Sequence, residues 1–358
     1  MMASTTSTPS VTWPGRVLEG PVAWRGADLA QSETWIHRFS SGELAELDRA
    51  LAGVRGLPRP VLDVTRDNFV LPTLGPTLTQ VKHELLHGRG FILFRGLPTE
   101  RYSLPELATL FWGLGTYLGT AVSQNAQGHV LGHVRDLGYD ANNPSTRLYQ
   151  TNQRQGYHTD SADLVGLLCV RTAMRGGLSS LASTVTVYNE LYRRRPDLAR
   201  ILFEPFPTDH RGEFRPGHKP YFSIPVLNFH AGELTGIYQR RYIESAQRFE
   251  DAPRLTPQQV EALDLFDALL DDPALHLEMR LEPGDMQFIH NHQILHDRTA
   301  FEDWPEPERR RHLLRLWLCP PDGRPLPPVF TERYGSVAVG RRGGVHVPAS
   351  ELKAPLEF

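Results

Sequence analysis

The stretch Gly156-Tyr157-His158-Thr159-Asp160-Ser161 sets an imidazole and a carboxylate one residue apart. On an extended strand that spacing points both side chains to the same face. Together they can hold a divalent metal once a third ligand arrives from elsewhere in the chain. Asn291-His292-Gln293-Ile294-Leu295-His296-Asp297-Arg298-Thr299 offers one in His296, read as closing a later strand ahead of a basic segment. Two histidines and one carboxylate leave positions open on the metal, the arrangement of non-haem Fe(II) oxygenases. The same donors also suit a catalytic zinc, and so a hydrolase. A non-catalytic binding protein that keeps the same fold is the third reading.

Composition narrows the setting. The chain has 358 residues, 40% hydrophobic and 22% charged, with a formal net charge of -3 when its 15 histidines are neutral. No global basic field invites nucleic acid or an anionic membrane. The two cysteines, Cys169 and Cys319, sit in apolar strand-like runs and read as buried free thiols, not as a disulfide or a cysteine metal site. No apolar run approaches the roughly 20 residues of a membrane span. Met1 to Ser10 is rich in Ser and Thr without a basic start or an apolar segment, so residues 1–12 read as a disordered tail and the cytoplasm as the expected location.

The elements that must position these residues follow in order. Residues 13–35 form an extended lead-in. Ser41 opens a helix with Leu44, Leu47, Leu51 and Val54 on one face, and Thr77 to His87 repeats that periodicity. Phe91 to Leu97 is a short apolar run closed by glycine and reads as a buried strand; Leu104 to Leu118 reads as a helix. Gly138 to Gly156 is polar, carries the turn signal Asn142-Asn143-Pro144-Ser145, and suits a mobile lid. Leu164 to Ala173 reads as a central strand broken by Gly176-Gly177, and Ser183 to Tyr192 leads into a helix ending near Pro196-Asp197. Tyr221–Asn228 and Leu234–Tyr238 read as strands, and Thr256-Pro257 starts a helix that runs to Leu270. Strands resume at Leu275–Leu281, Asp285–Ile289 and His312–Leu318 before a Pro-, Gly- and Arg-rich tail. That order predicts a mainly β, α+β chain: a double-stranded β-helix (jelly-roll) core with a helical N-terminal region and a helical insertion. The expected boundaries are one domain over 13–320, its core about 88–320, the insertion about 186–272, and an extension over 321–358.

Four motifs in this order resemble a known family. They are Gly-Tyr-His-Thr-Asp-Ser, Gly-Gly-x-Ser-Ser-x-x-Ser (Gly176 to Ser183), Asn-His-x-x-x-His-x-Arg-Thr-Ala-Phe-Glu-Asp (Asn291 to Asp303) and Arg-His-Leu-Leu-Arg-Leu-Trp (Arg311 to Trp317). From about Phe91 to Leu318 the chain is similar to the Fe(II)/2-oxoglutarate-dependent dioxygenases of the taurine dioxygenase and clavaminate synthase-like group. The resemblance implies His158, Asp160 and His296 as iron ligands and Arg311 as the partner of the distal carboxylate of 2-oxoglutarate. A planar, permanently charged guanidinium fork suits that carboxylate better than a lysine point charge. Arg315, four residues on, shares a strand face with Arg311 and is expected at the co-substrate or at an anionic substrate. Ser179, or its neighbour Ser180, aligns with the hydroxyl that the family turns to the same carboxylate; the alternative reading of this stretch is a polar turn after Gly176-Gly177. Asp160 fills the position that halogenating relatives leave to a small residue, which favours hydroxylation. 2-Oxoglutarate and O2 then yield succinate and CO2 as a substrate C–H bond is oxidised.

Other residues read more simply. His290 and His292 are expected to be structural, since only the later histidine of that segment matches the family. Arg193-Arg194-Arg195 suits a solvated helix end, and Arg309 and Arg310 suit the surface. Asn152-Gln153-Arg154 and Tyr238-Gln239-Arg240-Arg241-Tyr242 are expected to border the opening. Neither the substrate nor the oligomeric state is legible.

Overall fold

The helix Ser41–Gly53 begins where Ser40 caps it, accepting from Glu43 N–H while the Glu43 carboxylate takes Ser40 N–H. The cap is thus one residue earlier than expected, and the reciprocal pair is what fixes it. This helix joins Leu74–His87 and Leu104–Leu118 on one side of the protein. The computed structural model describes residues 12–143, 146–214 and 217–356. Met1 to Ser10, read as a tail, and Pro144-Ser145 of the turn signal lie outside the described residues, whereas Thr12 bridges to Phe229.

Among the described residues the larger sheet has seven strands. Its order is Ile36–Arg38, Phe91–Arg95, Met286–His290, Leu164–Arg171, His312–Cys319 and Thr120–Ala121, with Leu131–Val134 also paired to His312–Cys319. The run Leu164–Arg171 is central, as its continuous apolar character requires. Alternate residues serve two cores. Leu164, Leu168, Phe288, Leu314, Leu316 and Leu318 pack under the helices with Phe111 and Leu114. Val165, Cys169, Ile289, Leu313 and Trp317 point the other way, into a core shared with Leu181 and Leu295 of a second sheet. Burying one such side chain contributes about 1.5–3 kcal/mol.

That second sheet orders His276–Met279, Ser179–Ser183, Ile294–Arg298 and Gln155–His158, all antiparallel. Two of its strands depart from the sequence reading. Ser-Ser-Leu-Ala-Ser looks like a polar turn but is a fully buried strand. His296 does not close a strand; it lies in the middle of Ile294–Arg298, whose charged residues are buried as well. Tertiary burial overrides local polarity in both.

The segment between the core strands mixes helices with strands, two stretches of which, Tyr221–Asn228 and Leu234–Tyr238, were expected as strands. It holds helices Thr184–Arg194, Pro196–Ile201, Arg240–Ala246 and Pro257–Leu270, but also the paired strands Pro205–Asp209 with Tyr221–Pro225 and Leu227–His230 with Glu233–Gly236. Pro196 starts a helix at its first position instead of following one. Thr256 caps Pro257–Leu270 as expected, accepting from Gln259 N–H at 3.1 Å. The lead-in contains a short helix, Gly26–Leu29, and the chain beyond Cys319 packs back on the protein. Both cysteines are buried and unpaired. No helix among the described residues is long and apolar enough to cross a membrane.

Candidate metal centre and co-substrate cavity

His158 and His296 are register partners on adjacent strands, so sheet pairing itself brings their rings to 4.0 Å between centroids. Asp160 follows the strand end on backbone that stays extended. Thr159 N–H donates to the Tyr238 carbonyl at 2.8 Å, and His158 bridges to Gln239. His158 Nε2 lies 4.0 Å from Asp160 Oδ1, and His296 Nε2 lies 3.9 Å from Asp160 Oδ2. The three donor atoms all fall within 4.8 Å of one another.

Neighbours fix each ligand's chemistry. The His158 ring faces the Gly156 carbonyl through Nδ1 at 2.9 Å; a proton there leaves Nε2 as the lone-pair donor. Gln155 Nε2 sits 2.9 Å from that Nε2. Burial lowers the pKa of His158, and it lowers His296 to about 3, so both rings are neutral and able to ligate. Burial acts to raise Asp160, but Arg315, both histidines and the Trp317 indole together hold it below the usual carboxylate range. Arg315 Nη1 stands 3.2 Å from Asp160 Oδ2, and Trp317 Nε1 donates to the same oxygen at 2.8 Å. Asn291 clamps the loop: its Oδ1 accepts Asp160 N–H at 2.7 Å, and its Nδ2 donates to the Asp160 and Ala162 carbonyls.

A narrow cavity leads from the triad to Arg311, past Ser179 and Arg298. Arg311 is 5% exposed, and its Nη1 is buried without a hydrogen-bond partner. Burial pushes Arg311 down to about 10 and Arg298 to about 9, yet both stay charged near neutral pH. The two guanidinium groups lie 5.1 and 4.7 Å from the Phe301 ring, so two cations border one end of the cavity. Gly177 admits this. At φ +68 it takes a conformation reserved for glycine, and a Cβ there would sit 3.0 Å from Arg311 Nε. A metal on the triad with a dicarboxylic keto acid reaching Arg311 therefore fits the residues present.

Strand alternation separates Ser179 from Ser180. Ser179 lines the cavity, its Oγ 3.3 Å from the Gln287 amide, while Ser180 turns to the other face and the Tyr157 hydroxyl. Arg315 lines the same cavity but is engaged by Asp160 and by Gln124 Oε1 at 2.8 Å. His292 is no ligand: its Nε2 lies 3.0 Å from Asp163, which also takes the Arg342 fork at 2.7 Å. His290 is buried outside the triad's donor group, and neither of its ring nitrogens has a hydrogen-bond partner among the described residues. Arg193 and Arg194 bond Glu190 on an exposed face, and Arg309 and Arg310 are exposed.

A second pocket opens on the outer side of the metal site. Tyr238, Gln239, Arg241 and Tyr242 line it, as do Arg147, Leu148 and Tyr149 from the polar segment. Arg154 instead pairs with Asp271 and Asp297. Sequence reasoning assigned no role to Asn291, Trp317 or Arg298, although each stands within a quoted motif. Gln124 and Arg342 carry no local signal at all.

Comparison with known proteins agrees with this geometry. The family described as "Taurine catabolism dioxygenase TauD, TfdA family" matches residues 54–317. FR-33289 synthase of Streptomyces rubellomurinus is 32% identical over 338 residues, covering 91% of this chain and 98% of that protein. Taurine hydroxylase-like protein SAT17 of Stachybotrys chartarum is 30% identical over 322 residues, covering 85% and 82%. Asparagine oxygenase, solved with Fe(II), 2S,3S-3-hydroxyasparagine and succinate, shares the fold at a TM-score of 0.63 and 18% identity, over 79% of this chain and 93% of that one. The chain belongs to the TauD/TfdA family of Fe(II)- and 2-oxoglutarate-dependent oxygenases and carries a His-Asp-His facial triad.

Proposed function

We propose that the protein hydroxylates a small molecule, with His158, Asp160 and His296 holding Fe(II) and Arg311 and Ser179 holding the distal carboxylate of 2-oxoglutarate. When bound, the metal and co-substrate supply the oxidising chemistry with O2, yielding succinate and CO2. The chain's own residues prepare the site. Gly156 sets the His158 tautomer. Asn291, Trp317 and Arg315 fix the Asp160 carboxylate, so its geometry does not depend on the substrate. The observation that carries the reading is the buried, partnerless Arg311 Nη1 at the far end of a cavity that starts on the triad. A buried guanidinium without a counter-charge is costly, and a bidentate carboxylate offsets that cost. A zinc hydrolase leaves this cation without a role.

Hydroxylation is supported by Asp160, which occupies the place a halide would need. The printed names of a hydroxylase-like relative and of a neighbour solved with a hydroxylated amino acid point the same way. The outer pocket beside the triad, lined by polar and aromatic side chains such as Gln155, Tyr149, Tyr238 and Tyr242, supports a small-molecule substrate. We read the two sheets facing the site as a double-stranded β-helix spanning about 88–320, with the segment about 186–272 inserted and 321–358 appended. Screening small molecules for substrate-stimulated succinate release tests the function. His158→Ala and Asp160→Ala are expected to abolish release; turnover retained in either contradicts the ligand assignment.

A further inference from the structure

Past residue 317, where the family match ends, the chain returns to the loop that carries Asp160. That residue lies beyond the end of strand Gln155–His158, so its placement depends on loop contacts. Asn291 secures it from one side. From the other side the returning segment holds residues 161–163. Arg333 Nε donates to Ser161 Oγ at 3.0 Å, and Gly344 N–H donates to the Ser161 carbonyl at 2.6 Å. The buried Arg342 fork takes Asp163 at 2.7 to 3.0 Å. Within its own segment Arg342 also donates to the Val337 carbonyl at 3.2 Å and the Arg324 carbonyl at 2.6 Å, so the fold of this strap is carried into the ion pair.

The same strap reaches a second support of Asp160. Val345 N–H donates to the Ser123 carbonyl at 2.8 Å. The next residue, Gln124, accepts from Arg315 Nε and donates to the Arg315 carbonyl, each at 2.8 Å, and Arg315 holds the Asp160 carboxylate. The turn that links Ser161 to Ser123 is Gly343-Gly344. Both take positive φ, +85 and +69, and a Cβ on Gly344 would lie 2.5 Å from the Ser123 carbonyl oxygen. Only glycine lets the backbone pass there. Other attachments tie the segment down independently of this loop. Lys82, on the helix Leu74–His87, pairs with Asp322 at 2.6 Å, and Phe330 and Tyr334 pack with Phe222 and Ile224.

We propose that residues 337–345, through Arg342 and Gly344, position Asp160 for the metal, so that docking of this strap and metal binding strengthen each other. Arg342 and Gly344 are positioning residues: they touch the loop and its support, not the metal. The inference rests on the reading of Asp160 as a metal ligand. An outer partner of a metal ligand is worth about 10–100-fold in affinity. Coupling between two sites is reciprocal, so the factor by which the docked strap tightens the metal is also the factor by which the metal favours docking. A complete metal site then depends on a segment outside the matched family region.

The test titrates the full chain with Mn(II) and reads the electron paramagnetic resonance signal of the free ion. Arg342→Gln is expected to weaken Mn(II) binding about tenfold, with partial recovery in Arg342→Lys, where a point charge replaces the fork. Gly344→Ala should weaken it by a similar factor. Lys82→Gln loosens the same segment at a distant attachment and should leave the affinity in place. Where a variant does not fold, the wild-type protein decides. Its amide hydrogen exchange over residues 340–346 should slow about tenfold at saturating Mn(II), while exchange in the helix Pro257–Leu270 stays constant. Affinity unchanged in Arg342→Gln overturns the proposal, as does strap exchange indifferent to Mn(II) or an equal loss of affinity in Lys82→Gln. Wild-type protein that takes no Mn(II), or takes it equally well as His158→Ala, defeats the ligand reading and this inference with it. Binding that is lost in His158→Ala but indifferent to Arg342 defeats this inference alone.

Discussion

Arg315 Nη1 lies 3.2 Å from Asp160 Oδ2, although 155 positions separate them in the chain. The guanidinium also donates to Gln124 Oε1 and sits 4.8 and 4.9 Å from the Tyr149 and Trp317 rings, which fix its plane. Arg315 therefore fixes the Asp160 carboxylate, the proposed metal ligand. Arg315→Gln is expected to weaken Fe(II) or Mn(II) binding by about 10–100-fold, as loss of an outer partner of a metal ligand does. Metal titration measures this; an unchanged affinity would show that Trp317 and Asn291 hold Asp160 unaided.

Arg311→Gln should mainly change the 2-oxoglutarate requirement. Removing one partner of a buried charge pair costs about 2 kcal/mol or more, which raises the apparent KM about thirtyfold. Arg311→Lys should recover little, since a point charge cannot form the fork. A KM unchanged in both variants moves the co-substrate carboxylate away from Arg311.

The two serines give a sharper discrimination. Ser179→Ala should raise the 2-oxoglutarate KM about three- to tenfold, the worth of one neutral hydrogen bond. Ser180→Ala faces Tyr157 on the other side of the strand and should leave that KM in place. The reverse pattern in steady-state kinetics would mean that the strand face is misassigned.

Asp163 braces the loop after the metal ligand and is buried with Arg342 and His292. Burial alone would raise its pKa, but His292 and Arg342 draw it down to about 2. The unfolded value is about 3.9, so the stabilisation is complete above about pH 4 and fades as the pH falls from there towards about 2. Asp163→Asn leaves Arg342 uncompensated and should cost about 3–5 kcal/mol near neutral pH. Denaturant unfolding of both proteins should show that gap narrowing across the acid window; a constant gap contradicts the linkage.

Local chemistry made much of this legible. The helix Leu104–Leu118, the cap at Thr256 and the central strand from Leu164 all follow from periodicity and end signals within a few residues. The triad was legible because sheet pairing keeps His158 and His296 in motifs with strong residue types. Ser179–Ser183 and Ile294–Arg298 were harder, because their polar side chains are buried by the site itself and mimic loops. Gln124, Arg342 and Arg333 find partners more than 100 positions away, which no local pattern can encode. Pro-, Gly- and Arg-rich composition made the last segment read as a tail, whereas its arginines are spent on the metal loop and the pocket wall.

The central claim is an iron site that takes 2-oxoglutarate between the triad and Arg311. Anaerobic addition of Fe(II) and then 2-oxoglutarate to the purified protein tests it most directly, read as visible absorption. The account predicts a metal-to-ligand charge-transfer band that saturates with 2-oxoglutarate and is lost in His158→Ala. Folded, metal-loaded protein that shows no band at saturating 2-oxoglutarate would contradict it.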